Sequence, residues 1–368
     1  MKCATSLVPE AAGAVAEIRA QIGPVDGKWV IFFASAAYDP VVLSAAMQQS
    51  FPTALTCGCT TAGEIGLGRM TKHSLVAMVV GDELIEEVAV EVVTGISARV
   101  DLSVAMGAFE KRFGEPAAKW RHDRYVGLVL IDGLSLAEER INDAIGNVTD
   151  VSFIGGSAGD DLAFKATHVF ADGRSYGDAA VLVLLKTRHG FGTIKTQSFR
   201  PTERVLVATR VNEATREVLE FDGRPAAQVY AEAVGAVDGD IAPFFQNHPV
   251  GLMLDGEPYV RSPQQRKGDA MAFYCNIAEG MELTVLEGTS IVDDTRAAIA
   301  KANAELGGIA GMINFNCILR TLEIEQRGLT EAYGGLFADI PTVGFSTYGE
   351  SLIGHINQTA TILAFKNA

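Results

Sequence analysis

Two seven-residue stretches carry the groups best suited to hold a small molecule. GCTTAGE (58–64) and GFSTYGE (344–350) both fit G-x-[ST]-T-x-G-E, and each stands where one apolar segment ends and before another begins. A looser third copy, GGSAGDD, covers 155–161. Glycines such as Gly63, Gly159 and Gly349 let the backbone come close to a ligand, while Thr60, Thr61, Ser157, Ser346 and Thr347 bring hydroxyls that donate or accept. Glu64, Asp160 and Glu350 add carboxylates, which hold an amine or cap a helix. Tight turns recruit the same residue types, so the two glutamates stand open to either use, and a turn accounts for each hydroxyl taken singly.

GMINFNCILR (311–320) is the second informative stretch. In a strand, alternation puts Asn314 and Asn316 on one face and Ile313, Phe315 and Cys317 on the other. Two amides on one face need partners if buried, and Arg320 just beyond them can grip a carboxylate with two prongs. A face turned to loops and water is the plainer reading. GHINQT (354–359) follows the second copy, and there His355, Asn357 and Thr359 alternate, so they share a strand face aimed toward the cavity of Tyr348, Gly349 and Glu350.

No G-x-G-x-x-G opens a helix after a strand, and no Gly-Lys-Ser/Thr or H-E-x-x-H occurs. Cys57 and Cys59 have C-x-C spacing without a second metal-binding pair, which favours core packing. An enzyme using Cys57, Cys59 or Cys317 as nucleophile is an alternative that nothing in the spacing demands. The expectation is a protein that binds rather than catalyses.

The elements that must position these groups alternate. KWVIFFAS reads as a buried strand, and the segment from Tyr38 to Phe51 as a helix with Pro40 in its first turn. YVGLVLIDG is a strand followed by a helix over LSLAEERINDAIG, with Ser135 and Glu138 spaced as a capping box. IVDDTRAAIAKANAEL and EIEQRGLTEAYGGLF read as helices around the strand at GGIAGMINFNCIL. Asp172-Gly173 marks a hairpin. The expected fold class is α/β, mixed α+β: two related domains, each a mixed parallel and antiparallel sheet flanked by helices. The boundaries are 1–27 for an N-terminal helix, 28–219 and 220–368.

With 368 residues, 48% of them hydrophobic, the chain can bury a full core. Its net charge of −15 repels nucleic acid and anionic lipid. The longest apolar run, Ala179 to Leu185, is too short to cross a membrane. Glu10 and Glu17 sit where a signal peptide needs apolar residues, and five cysteines are an odd number, so a cytoplasmic, thiol-reduced protein is expected.

GCTTAGEIG, LIDGLSLAEER, FIGGSAGDDLAF, GRPAAQVY, NFNCILR, GFSTYGE and HINQTATILAF, in that order, resemble the FIST proteins, with an N-terminal FIST domain followed by a C-terminal one. The resemblance runs from about Lys28 to Phe365. It implies a sensory module that binds a small ligand such as an amino acid and regulates a histidine kinase or cyclase in trans. It also admits a haem-binding nitric oxide sensor, with haem as cofactor. The motif positions it carries over are Gly58 to Glu64, Gly155 to Asp161, Asn314 to Arg320, and Tyr348 to Thr359. His355 lies in the closing motif shared by many members, which makes it a poor marker for haem.

Overall fold

The computed structural model describes residues 1–25, 27–352 and 354–368. Two compact units form, the first from Met1–Lys195, Arg296–His355 and Ala360–Ala368, the second from Thr196–Thr295 and Ile356–Thr359. The expected boundary after Leu219 lies inside the second unit's sequence. The fold is mixed α+β, with helices flanking mixed sheets.

A strand, β1 (Lys2–Ser6), precedes the expected N-terminal helix α1 (Ala11–Ile22). The first module then runs β2 (Trp29–Ser35), α2 (Pro40–Ser50), β3 (Leu55–Thr61), the hairpin β4 (Glu64–Gly66) and β5 (Arg69–Thr71), and β6 (Leu75–Val80). β7 (Ile85–Thr94) and α3 (Ser103–Phe113) lead to the second module. It contains β8 (Tyr125–Ile131), α4 (Glu138–Gly146), β9 (Phe153–Ser157), the hairpin β10 (Val169–Ala171) and β11 (Arg174–Tyr176), and β12 (Ala179–Thr187). β13 (Phe191–Gln197) follows.

The second unit is built on β14 (Phe199–Asn212), β15 (Glu217–Phe221), β16 (Arg224–Pro225), β17 (Val250–Leu254), β18 (Glu257–Arg261), β19 (Pro263–Lys267), β20 (Ala270–Phe273) and β21 (Glu282–Gly288). These make one eight-stranded sheet, against which α5 (Ala226–Val234) packs Tyr230 and Val229 onto Phe221, Met271 and Leu283. α6 (Ile291–Leu306) leads to the third module: β22 (Ile309–Cys317), α7 (Ile318–Gln326), α8 (Thr330–Gly335), β23 (Thr342–Thr347), the hairpin β24 (Glu350–Leu352) and β25 (His355–Ile356), and β26 (Thr359–Lys366).

The three modules of the first unit have the same plan. In each, the two strands flanking the helix pair in parallel, β2 with β3, β8 with β9 and β22 with β23. The returning strand β6, β12 or β26 pairs antiparallel on the other side. What differs from three separate sheets is the hairpin. β4–β5 joins the sheet of the third module, β24–β25 that of the second, and β10–β11 that of the first, so each module gives a hairpin to one neighbour and takes one from the other. The repeat therefore has three members within this unit.

Local chemistry accounts for most elements. Asp39 caps α2 by accepting from the N–H of Val41 and Val42, with Pro40 at the first helical position. Gly114, at φ 74, closes α3. β2 and β12 are continuously apolar because both faces are covered. Where the sheets of the first and third modules face each other, the Phe33 ring lies tilted 4.6 Å from Phe345 and meets Phe315 edge-on at 6.2 Å.

Two expected helix details differ. Ser135 donates to Asp132 C=O instead of capping α4, because Leu136 at φ 52 breaks away before the helix begins at Glu138. The stretch from Glu323 to Phe337 is two helices, interrupted at Gly328 with φ 67. Among the described residues no helix is long and apolar enough to cross a membrane.

Candidate functional site

The three copies of the loop motif meet and bind one another in a ring. Ala62 N–H donates to Ser346 C=O (3.1 Å), Tyr348 N–H to Ser157 C=O (3.2 Å), and Gly159 N–H to Thr60 C=O (2.9 Å). Return bonds run from Ser346 N–H to Gly63 C=O (2.7 Å) and from Ser157 N–H to Gly349 C=O (2.9 Å). In the remaining pair Thr60 N–H reaches His168 C=O at 2.9 Å, because the second copy inserts residues 160–168 before its hairpin. That insertion is why its sequence match is loose. Gly63 sits at φ 129, and a Cβ on Gly159 would stand 2.8 Å from Ala62 N, so the ring closes only with glycine at these turns.

Much of the motif's polar chemistry is consumed in this ring. Thr347 Oγ1 donates toward the carbonyls of Ser157 and Gly349 (2.8 Å each), and Thr60 Oγ1 accepts from His168 N–H (2.9 Å). Asp160 holds the inserted loop, accepting from the N–H of Phe164, Lys165 and Ala166 and from Tyr348 O–H. Burial would raise its pKa, but these donors outweigh burial and hold it below the ordinary value.

Glu64 is the exception with chemical potential. It is 1% exposed and accepts from Thr61 O–H, Ser74 O–H and Ser74 N–H. Burial pushes its carboxyl up to about 7 even against those three hydrogen bonds. It lines a cavity of about 220 Å³ together with Gly63, Met70, Thr71, Lys72, Thr321, Glu325, Thr330 and Ser346. Lys72 Nζ lies 2.7 Å from Glu325, and the hydroxyls of Thr321 and Ser346 are 2.7 Å apart. The first and third copies of the motif thus share a cavity with an acid on the inner wall and an ion pair among its lining groups.

Asn316 and Arg320 are brought together, though among the residues lining that cavity neither appears. Asn316 Oδ1 accepts from Arg320 Nε (3.1 Å) and Tyr333 O–H (2.9 Å), and its Nδ2 donates to Thr321 (2.9 Å). The Arg320 guanidinium lies 5.8 Å from the Tyr333 ring centre. Asn314, on the same strand face, is fully buried, and neither polar atom of its amide has a partner among the described residues. Glu350 is also fully buried, paired across strands with Gly156.

His355 is 5% exposed, and its Nδ1 lies 3.0 Å from Glu139 Oε1. Its Nε2 would be 2.3 Å from a Cβ on Gly349, so that edge of the ring packs on backbone. An imidazole held in this way at both edges does not fit an axial haem ligand. The expected continuous strand from His355 to Thr359 does not form: β25 ends at Ile356, and Gln358 turns at φ 47 before β26. Asn357 falls in the second unit, where its C=O accepts from Thr359 O–H at 2.9 Å.

Sequence reasoning missed Lys72, Thr321 and Glu325, which the hairpin exchange brings to one cavity, and Ser74, which donates to Glu64. It also read Glu138 solely as a cap and passed over Glu139. Cys57, Cys59, Cys275 and Cys317 are buried, and burial pushes Cys57 up to about 12 and Cys59 well above the ordinary thiol value, against a thiolate nucleophile at either.

Comparison with known proteins places the FIST N domain on residues 28–224 and the FIST C domain on residues 226–352. An uncharacterized protein of Methanocaldococcus jannaschii is 27% identical over 198 residues, which covers 48% of this chain and 38% of that relative's length.

Proposed function

Since the chain belongs to the FIST family, whose domains are sensory and ligand-binding modules of signal transduction, we propose that it detects a small zwitterion, an amino acid foremost. The ligand occupies the cavity between the first-copy turn and the helices α7 and α8. Its ammonium group pairs with Glu64 and Glu325, its carboxylate with Lys72, and the Ser346 and Thr321 hydroxyls complete its hydrogen bonds.

One observation carries this reading: Glu64 and Ser346, from two copies of the repeated motif, face a single cavity of about 220 Å³, a size suited to one amino acid. The part of the sequence-level reading that gave the carboxylate to Arg320 passes to Lys72, because Arg320 is engaged with Asn316 and Tyr333. Occupancy would brace the turn ring, and through the exchanged hairpins all three sheets, giving a partner such as a histidine kinase or cyclase in the cytoplasm a changed surface to read. The family's sensory character favours this over catalysis.

Calorimetry with the free amino acids, and with amines lacking the carboxylate, tests it. Glu64→Gln should weaken the best ligand by about 1–3 kcal/mol. Unchanged affinity in that variant removes Glu64 from the site, and loss of no affinity on deleting the ligand's carboxylate removes Lys72.

A further inference from the structure

We propose that Glu138, Glu139 and His355 form a site for a divalent transition-metal ion, with Zn²⁺ the best suited. Their ligand atoms lie within 4.8 Å of one another, close enough for one ion to reach all three. One imidazole and two carboxylates leave a fourth position for water, a mixed nitrogen and oxygen set open to Zn²⁺, Co²⁺ and Mn²⁺.

The site has the supports that such a centre needs. Glu138 and Glu139 occupy the first turn of α4, and Glu138 is 3% exposed. Ser157 O–H donates to Glu138 Oε1 at 3.0 Å and orients it, the role of an outer hydrogen bond to a ligating carboxylate. His355 comes from β25, whose hairpin partner β24 pairs with β9, the strand that ends in Ser157. His355 and the Ser157 that orients Glu138 are therefore held by one block of paired strands, while both glutamates come from α4.

Geometry also chooses the nitrogen. Nε2 packs on Gly349, is buried and has no hydrogen-bond partner among the described residues, whereas Nδ1 faces Glu139 at 3.0 Å. Nδ1 is therefore the nitrogen open to an ion, which would bind it in place of the hydrogen bond to Glu139. First-turn acids also complement a helix dipole, and a plain His–Glu hydrogen bond is the competing explanation.

The two explanations part on adding metal. Chelator-treated full-length protein is titrated with Zn²⁺ by calorimetry and with Co²⁺ in the visible range. We expect one ion per chain, ligand-field bands of low-coordinate Co²⁺, and a raised melting temperature. Ser157→Ala should lower affinity about 10-fold, and Glu139→Gln or His355→Gln by more than the roughly 10- to 100-fold that outer-shell losses cost. Glu139 is partly exposed, so Glu139→Gln keeps the test valid if His355→Gln does not fold. No Co²⁺ bands and no thermal shift with either ion, or full binding in folded Glu139→Gln, overturns the proposal.

Discussion

Replacing Glu64 by glutamine isolates the energetic cost of a buried carboxylate at the motif's centre. In the folded protein its pKa rises from the ordinary 4.5 to about 7, because burial disfavours the charged form more than Thr61 and Ser74 favour it. The native state thus holds this proton more tightly than the unfolded chain does. Its stabilising contribution is complete below about pH 4.5 and is lost as pH rises through about 7, leaving the protein about 3 kcal/mol less stable at alkaline pH on this account. The slope should be steepest near pH 6, at about 1.4 kcal/mol per pH unit. The glutamine of Glu64→Gln cannot titrate, and its misfit with the two hydroxyls adds an offset of about 1 kcal/mol that does not change with pH. Urea unfolding of both proteins from about pH 5 to about pH 8 reads the difference, in which the other groups cancel. The variant should gain on the wild type by about 2–3 kcal/mol, in round terms about 100-fold in the folding equilibrium, across that range. Parallel curves would mean that Glu64 ionises like an exposed acid, and the buried-acid reasoning would fall.

Three further expectations concern the surrounding machinery. Asn316→Ala takes an acceptor from both Arg320 and Tyr333 and should cost about 3 kcal/mol in urea unfolding; a loss below about 1 kcal/mol would show that the network is slack. Gly159→Ala places a Cβ 2.8 Å from Ala62 N and 3.0 Å from Thr61 C, both backbone, and should lower stability by about 1–3 kcal/mol in thermal melts. A neutral outcome would mean that the turn ring is not tightly closed. Added haemin should leave the absorption spectrum of free haemin unchanged; a Soret band abolished by His355→Ala would instead restore the haem reading.

Much of the scaffold was legible because its signals are local. The apolar run at Trp29–Ser35 and Pro40 in the first turn of α2 each act within a few residues, and those elements stand where the letters put them. The hairpin exchange was not legible. β4 is three residues long, and nothing within Glu64–Gly66 says that its partner is Thr342–Thr347 rather than a nearer strand. Lys72 arrives beside Glu325 by that same non-local pairing, so no spacing in the sequence could nominate it. His355 and Asn357 looked like neighbours on a strand face; the αL turn at Gln358, a conformation unusual for that residue, separates them. The amides of Asn314 and Asn316 were placed on one face correctly, but only packing decides that one is saturated while the other has no partner among the described residues.

The cyclic exchange of hairpins also dictates an order of events during synthesis. The β4–β5 ribbon is complete by Thr71, yet the strand that receives it ends at Thr347, about three quarters of the chain later. At ribosomal speeds of about 5–20 residues per second, that ribbon waits on the order of tens of seconds with an open edge. β3 waits as well, until Val169–Ala171 emerges to cover it. A nascent chain cannot therefore finish its first third as a stable body, and truncated forms expose strand edges that invite aggregation. The first unit can close its sheets only once the third module has been made.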